Sequence, residues 1–128
     1  SSAASDVYKR QIIDRALFTN VLRRVSVFAD AALGLAKLQL KNGELVVSTE
    51  NKDYSISAEE KVACNYTGDD LTIGFKASFL IEILNNISAT EVLVELSDPT
   101  RAGVILPLEN KENEDLLMLL MPMMLSDF

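Results

Sequence analysis

Apolar residues recur along this chain with two different periods, and each change of period marks an element. Ile12-Ile13 reads as a short strand. Leu17, Val21, Val25 and Phe28 follow at spacings of four, four and three, which predicts a helix over about Ala16 to Ala29 with these four as its buried stripe. Asn20, Arg23, Arg24 and Val27 fall on the opposite face. The period then drops to two. Leu38 and Leu40 alternate with Lys37, Gln39 and Lys41, and Asn42-Gly43 offers two positive-φ positions for a tight turn into Glu44–Thr49. Another strand is predicted over about Tyr54 to Tyr66, then a turn at Gly68-Asp69-Asp70 and a strand over Leu71–Phe75. Leu80, Ile83, Leu84 and Ile87 restore helical spacing over about Ala77 to Ile87. Strands over Glu91–Leu96, Gly103–Leu108 and about Leu116 to Pro122 close the chain, separated by Asp98-Pro99 and the polar stretch Glu109–Glu114.

The order of elements repeats. Val21-Leu22-Arg23-Arg24-Val25 is echoed by Ile83-Leu84-Asn85-Asn86-Ile87, and Ile13 and Phe75 end the strands that precede the two helices. Each half is a short strand, a helix and about three antiparallel strands. Two such units side by side make an α+β fold, with both helices on one face of a continuous, mostly antiparallel sheet. Residues 12–128 form that single domain. Residues 1–11 are small and polar without periodicity and read as a disordered leader or an artificial extension.

Composition removes several functions. The apolar fraction of 48% and charged fraction of 24% suit a soluble globular domain that folds without disulfide or metal. With no histidine, the usual general base and the usual metal ligand are both missing. Cys64, the single cysteine, has no histidine to activate it and reads as a small core residue in the alternating run Val62-Ala63-Cys64; a lone cysteine without disulfides fits the cytoplasm. No secretory signal is visible, and the longest apolar run, Leu116–Leu125, is interrupted by Pro122 and too short to span a bilayer. A net charge of −7 argues against a freestanding nucleic-acid binder, though a locally basic face is compatible with it. A metal-dependent phosphoesterase built on Asp69 and Asp70 is disfavoured, because aspartates after Gly68 in a tight turn are there for backbone reasons.

Four ordered segments carry a family resemblance. The C-terminal Leu119-Leu120-Met121-Pro122-Met123-Met124-Leu125 resembles the end of the bacterial DNA polymerase III β subunit, the replication sliding clamp, whose chains finish in an apolar pair and Met-Pro-Met/Val-x-Leu. Tyr66-Thr67-Gly68-Asp69-Asp70-Leu71-Thr72-Ile73-Gly74-Phe75 is similar to the family's Tyr-x-Gly-x-x-Met/Leu-x-Ile-Gly-Phe. Phe79–Leu84 and Leu22–Ala29 resemble its second and first helices. Together they run from about Ile12 to Leu125, and they resemble the C-terminal domain of the subunit.

The resemblance implies a non-enzymatic processivity factor without cofactors or metals. In this family three such domains make a subunit, and two subunits close head to tail into a ring around duplex DNA. Helices line the hole, where sequence-independent attraction to phosphate suffices. It assigns Arg23 and Arg24 to the DNA-facing side. It assigns Met121, Pro122, Met123, Arg101, Gly103, Lys76 and Phe79 to a pocket for linear peptide motifs of polymerases, clamp-loader subunits and repair proteins, where adaptable methionines suit many clients. Val27, Phe28, Glu59 and Glu60 fall at its subunit interface. Two departures stand out. The chain adds Ser126-Asp127-Phe128 beyond the family's usual end, and Ser1–Gln11 does not resemble the connector that completes the pocket. The competing reading is a freestanding α+β protein-interaction domain without a DNA role.

Overall fold

The computed structural model describes residues 9–29, 34–51, 54–97, 103–108 and, by their backbone alone, 118–120. In order these form β1 (Lys9–Asp14), α1 (Arg15–Ser26), β2 (Leu35–Lys41), β3 (Glu44–Asn51), β4 (Ile56–Ala63), β5 (Leu71–Lys76), α2 (Ala77–Asn85), β6 (Glu91–Leu96), β7 (Gly103–Pro107) and β8 (Met118–Leu120). The duplication is exact in its first two elements: β1 and β5 start 62 residues apart at Lys9 and Leu71, as do α1 and α2 at Arg15 and Ala77.

All the pairings are antiparallel, and the strands divide into two four-stranded sheets, ordered β1-β6-β7-β8 and β4-β3-β2-β5, where the sequence suggested one continuous sheet. Each unit gives its first strand to the other unit's sheet. β1 pairs with β6 from Lys9↔Leu96 to Asp14↔Glu91, and β5 pairs with β2 from Leu71↔Leu40 to Lys76↔Leu35. The helix entries repeat the exchange, since Arg15 N–H donates to the Thr90 carbonyl (2.9 Å) and Ala77 N–H to that of Gly34 (2.8 Å). One reason the sheets stay separate lies at the outer edge of β1, where Ile12 N–H donates to the Asn65 side-chain oxygen (2.6 Å) in place of another strand.

Strand parity sends Ile13, Val92, Val94, Leu96 and Ile105 from one sheet, and Leu38, Leu40, Val47, Ile73 and Phe75 from the other, into one core shared with both helices. On α1 the core-facing residues are Phe18, Val21, Leu22 and Val25, while Leu17 and Phe28, expected in the stripe, are each 45% exposed. The helix starts at Arg15, capped by the Asp14 carboxylate accepting from Leu17 N–H (2.9 Å), and ends at Ser26. Val21 and Val25 are buried as expected, Phe18 and Leu22 take the places expected of Leu17 and Phe28, and Phe28 lies beyond the helix end. On α2, Leu80 and Leu84 are buried as expected; Ile83 is half-buried against the core, and Ile87 is buried beyond the last turn.

Three other expectations change. Residues 9–11, read as part of the leader, belong to β1 because pairing with β6 recruits them; residues 1–8 lie outside the described residues. At the β2–β3 turn only Gly43 takes positive φ (79°), while Asn42 uses its side chain to accept from Gly68 N–H (2.9 Å). The strand expected over Tyr54–Tyr66 is shorter, Ile56–Ala63, with Cys64 beyond it half-buried against the core.

Two positions test this packing. Gly103 on β7 lies against Phe75 and Leu96, and a Cβ there would stand 2.8 Å from Leu96 Cδ2 and 3.1 Å from the Phe75 ring. Both neighbours are fully enclosed and cannot retreat. Gly103→Ala is expected to destabilise by about 1–3 kcal/mol, measured as a lower urea midpoint at unchanged m-value. Gln11, 1% exposed, faces the core beside Ile13 with both amide atoms unpartnered among the described residues. An unsatisfied buried amide costs about 1–3 kcal/mol. Gln11→Met, similar in volume, is therefore expected to raise the melting temperature; an unchanged or lower value would show that the amide has a partner.

Candidate functional site

The exposed face of α1 carries Asn20, Arg23 and Arg24, with Val27 just past the helix end. Arg23 Nη2 donates to the Asn85 side-chain oxygen of α2 at 3.0 Å. These two residues hold the same place in the two units, 62 apart, so their contact straddles the pseudo-twofold axis of the duplication. An arginine in both copies would set like charges against each other there, whereas asparagine supplies an acceptor and leaves Arg23 its full charge.

Arg24 is engaged differently. Its Nε and Nη2 donate to the two carboxylate oxygens of Glu60 on β4, both at 2.8 Å. This fork holds the Glu60 carboxyl below the usual glutamate range and raises the Arg24 guanidinium, in each case chiefly through the hydrogen bonds. The register explains the reach. Glu60 pairs with Val47, which is buried under the helices, while Glu59 pairs with Ser48, so the two adjacent acids point to opposite faces of the sheet. Glu60 belongs to the helix side, and Glu59, exposed, to the outer side.

Where α1 ends, Phe28 N–H donates to the Val25 carbonyl and Ala29 N–H to that of Ser26 (3.1 Å each), and the Thr49 hydroxyl of β3 also donates to the Val25 carbonyl. This fastened turn presents Val27 (76% exposed) and Phe28 to solvent. The neighbouring β4 is the outer strand of its sheet, with no strand partner on its far side among the described residues. An apolar corner and an open sheet edge therefore adjoin, the form an edge-to-edge contact requires.

At the start of α2, Lys76 occupies the N-cap without a side-chain capping bond and holds its ammonium 4.8 Å from the centre of the Phe79 ring. Phe79 is 55% exposed, a large apolar surface on an otherwise well-packed helix. Gly103 lies on the inner face of β7, and Phe75, which it contacts, is the residue before Lys76. Lys76 and Phe79 thus meet at the β5–α2 junction, whereas Gly103 faces the enclosed side chains of Phe75 and Leu96. Arg101, Met121, Pro122 and Met123 lie outside the described residues.

Sequence reasoning missed three groups. Arg15, at the start of α1, donates to the Ala89 carbonyl (2.7 Å) and reaches that of Leu84 (3.5 Å), placing a cation at the C-terminal end of α2 where the helix dipole favours it. Asn85 was legible as the repeat partner of Arg23, but not as its acceptor. The Arg24–Glu60 fork had no local signal at all, since 36 residues separate its members. Burial raises the Cys64 thiol above its ordinary pKa, so thiolate chemistry is disfavoured there. Tyr66 donates its hydroxyl to the Asp69 carbonyl, which anchors the Asp69-Asp70 turn. Among the described residues no three His, Cys, Asp or Glu side chains gather as a metal set, and no helix is long and apolar enough to cross a membrane.

Comparison with known proteins gives this arrangement its context. Residues 5–124 match the family described as DNA polymerase III beta subunit, C-terminal domain. The chain is similar to the beta sliding clamps of Pseudomonas aeruginosa (30% identical over 112 residues, 88% of this chain and 29% of the relative) and Treponema pallidum (30% identical over 128 residues, 91% of this chain and 34% of the relative). It therefore spans about a third or less of the length of these curated relatives. Among solved structures it resembles the P. aeruginosa sliding clamp with ligand (TM-score 0.85, 30% identity, 91% of this chain and 31% of that one). It also resembles the Bartonella birtlesii clamp bound to griselimycin (TM-score 0.82, 31% identity, 91% and 30%). With its duplicated strand–helix–strands unit matched over nearly its whole length, the chain belongs to the DNA polymerase III beta subunit family, as a C-terminal domain.

Proposed function

We propose that this chain works as the C-terminal domain of a DNA-replication sliding clamp, a non-catalytic cytoplasmic ring component that holds polymerases on duplex DNA. The observation that carries the reading is the paired helices on one side of two sheets, in a chain that matches the family across residues 5–124. Two helices side by side form a short wall and the sheets stiffen it from behind. Repeated around a ring, such walls enclose a hole, and processivity follows because a closed ring cannot leave DNA sideways. Only weak, sequence-independent attraction to phosphate is then required of each domain, and Arg23 and Arg24 stand on the helix face that would supply it.

Ring closure needs a partner edge. Val27 and Phe28 provide an apolar corner, Glu59 and Glu60 flank it on β4, and a strand from a neighbouring subunit would extend the sheet. In this reading two full-length subunits join head to tail. The partner-protein pocket is assigned to Lys76 and Phe79 at the β5–α2 junction together with Gly103, Arg101, Met121, Pro122 and Met123, as the resemblance implies. Short linear peptides from polymerases and clamp-loader subunits would dock there, an exposed aromatic and flexible methionines accommodating varied apolar side chains.

A labelled peptide of the Gln-x-x-Leu-Phe type, titrated against this chain and against Met123→Ala, is the direct test. Saturable binding that weakens about tenfold or more in the variant, an apolar anchor being worth ≥1.4 kcal/mol, is expected. If no binding appears even when the remaining clamp domains are supplied, the pocket assignment fails.

A further inference from the structure

The reading of α1 as a DNA-facing helix treats its two adjacent arginines as equivalent, and their surroundings do not. The exposed charged residues of the two helices are Arg23, Arg24 and Glu82. Among the described residues Arg23 bonds only a neutral amide, that of Asn85, with one arm of its guanidinium. Arg24 has its fork filled: Nε and Nη2 meet the two oxygens of one carboxylate at 2.8 Å each, the side-on arrangement in which a guanidinium also takes two oxygens of a phosphate. On its side-on edge Arg24 therefore meets phosphate only by displacing Glu60, and at its remaining Nη1 edge the adjacent carboxylate offsets the charge that would attract a phosphate. Glu60 has the advantage of being covalently held to the same molecule, with its strand fixed by eight register pairs to β3.

We propose that Glu60 is an internal competitor for phosphate at Arg24, so that Arg23 alone carries the α1 attraction to a nucleic-acid backbone. This rests on the reading of α1 as DNA-facing. It gives Glu60 a function distinct from that of Glu59. Glu60 sets how strongly the domain attracts phosphate and ties α1 to the outer strand of its sheet. Glu59, exposed on the opposite face, is the acid that would meet a basic partner at the sheet edge. A weak grip of this kind suits a protein that must slide, since each added phosphate contact raises the friction of movement along the duplex as well as the affinity.

The fork itself can be watched in the 128-residue chain. Isotope-labelled protein is titrated with a short duplex of mixed sequence at low salt, and the arginine Nε–H resonances are followed by NMR in the wild type, Glu60→Gln, Glu59→Gln and Arg24→Ala. The Arg23 side-chain resonance is expected to shift on adding duplex while that of Arg24 stays still. In Glu60→Gln both should move, and a tenfold dilution of salt should strengthen binding by about eightfold more than in the wild type, as one additional phosphate contact requires. Glu59→Gln changes net charge equally but should leave Arg24 still, and Arg24→Ala identifies the Arg24 resonance by its loss. Thermal melts of each variant report whether the fold is retained. Movement of Arg24 in the wild type, or a silent Arg24 in a folded Glu60→Gln protein whose Arg23 responds, overturns the competitor. If Arg23 is silent in every variant, the DNA-facing reading of α1 falls with it.

Discussion

Antiparallel pairing of β1 with β6 and of β5 with β2 is the constraint on which the remaining structure depends. Because each unit's first strand lies in the other unit's sheet, neither half can complete a sheet alone. Each helix follows directly from an exchanged strand, through Asp14 into Arg15 and through Lys76 into Ala77, so the exchange also places the helices side by side. The shared core follows in turn, with Phe18 and Leu22 from one helix and Leu80 and Leu84 from the other enclosed with inward residues of both sheets. Such interlocking favours a single cooperative unit over two independently folding halves.

Duplication places equivalent residues opposite each other at the axis, and function requires that they differ. The pair Arg23 and Asn85 shows how: one copy keeps the cation and the other supplies an acceptor. The same divergence separates the outer ends. The first unit has the cationic helix face, the fastened turn at Val27 and Phe28, and the open edge of β4. The second has an α2 that begins with an uncapped Lys76 over the Phe79 ring. One repeated unit thus carries an exposed cationic helix face and an apolar corner in its first copy, and an exposed Lys76–Phe79 pair in its second.

Charge along the chain is a poor guide to charge at the site. The chain is acidic overall, with −7, and its two adjacent arginines suggest a basic spot. Folding pairs one of them with Glu60 and leaves the other beside a neutral amide. Arg10 with Glu95 and Lys61 with Glu44 make further cross-strand pairs on exposed surfaces, where each contributes little to stability. Only the contacts of each arginine distinguish a cation available to phosphate from one already matched.

The repeat in the sequence determined the order of elements, the two helices, most strand positions and the presence of one α+β domain, because these depend on periodicities local to each segment. It also set Lys76 and Phe79 three residues apart at one helix start, whereas the exposure of Phe28 follows from where α1 ends in the fold. Tertiary structure alone decided which strands pair. Strand exchange is a long-range choice, as is the separation of one expected sheet into two, because β1 and β5 have no local pattern naming a partner. On α1 the periodicity identified Val21 and Val25, but only the packed core decides that Phe18 and Leu22 join them in place of Leu17 and Phe28. The opposite orientations of Glu59 and Glu60 were illegible too. Adjacent residues on a strand face opposite ways, and only the register with β3 decides which of them meets the helix.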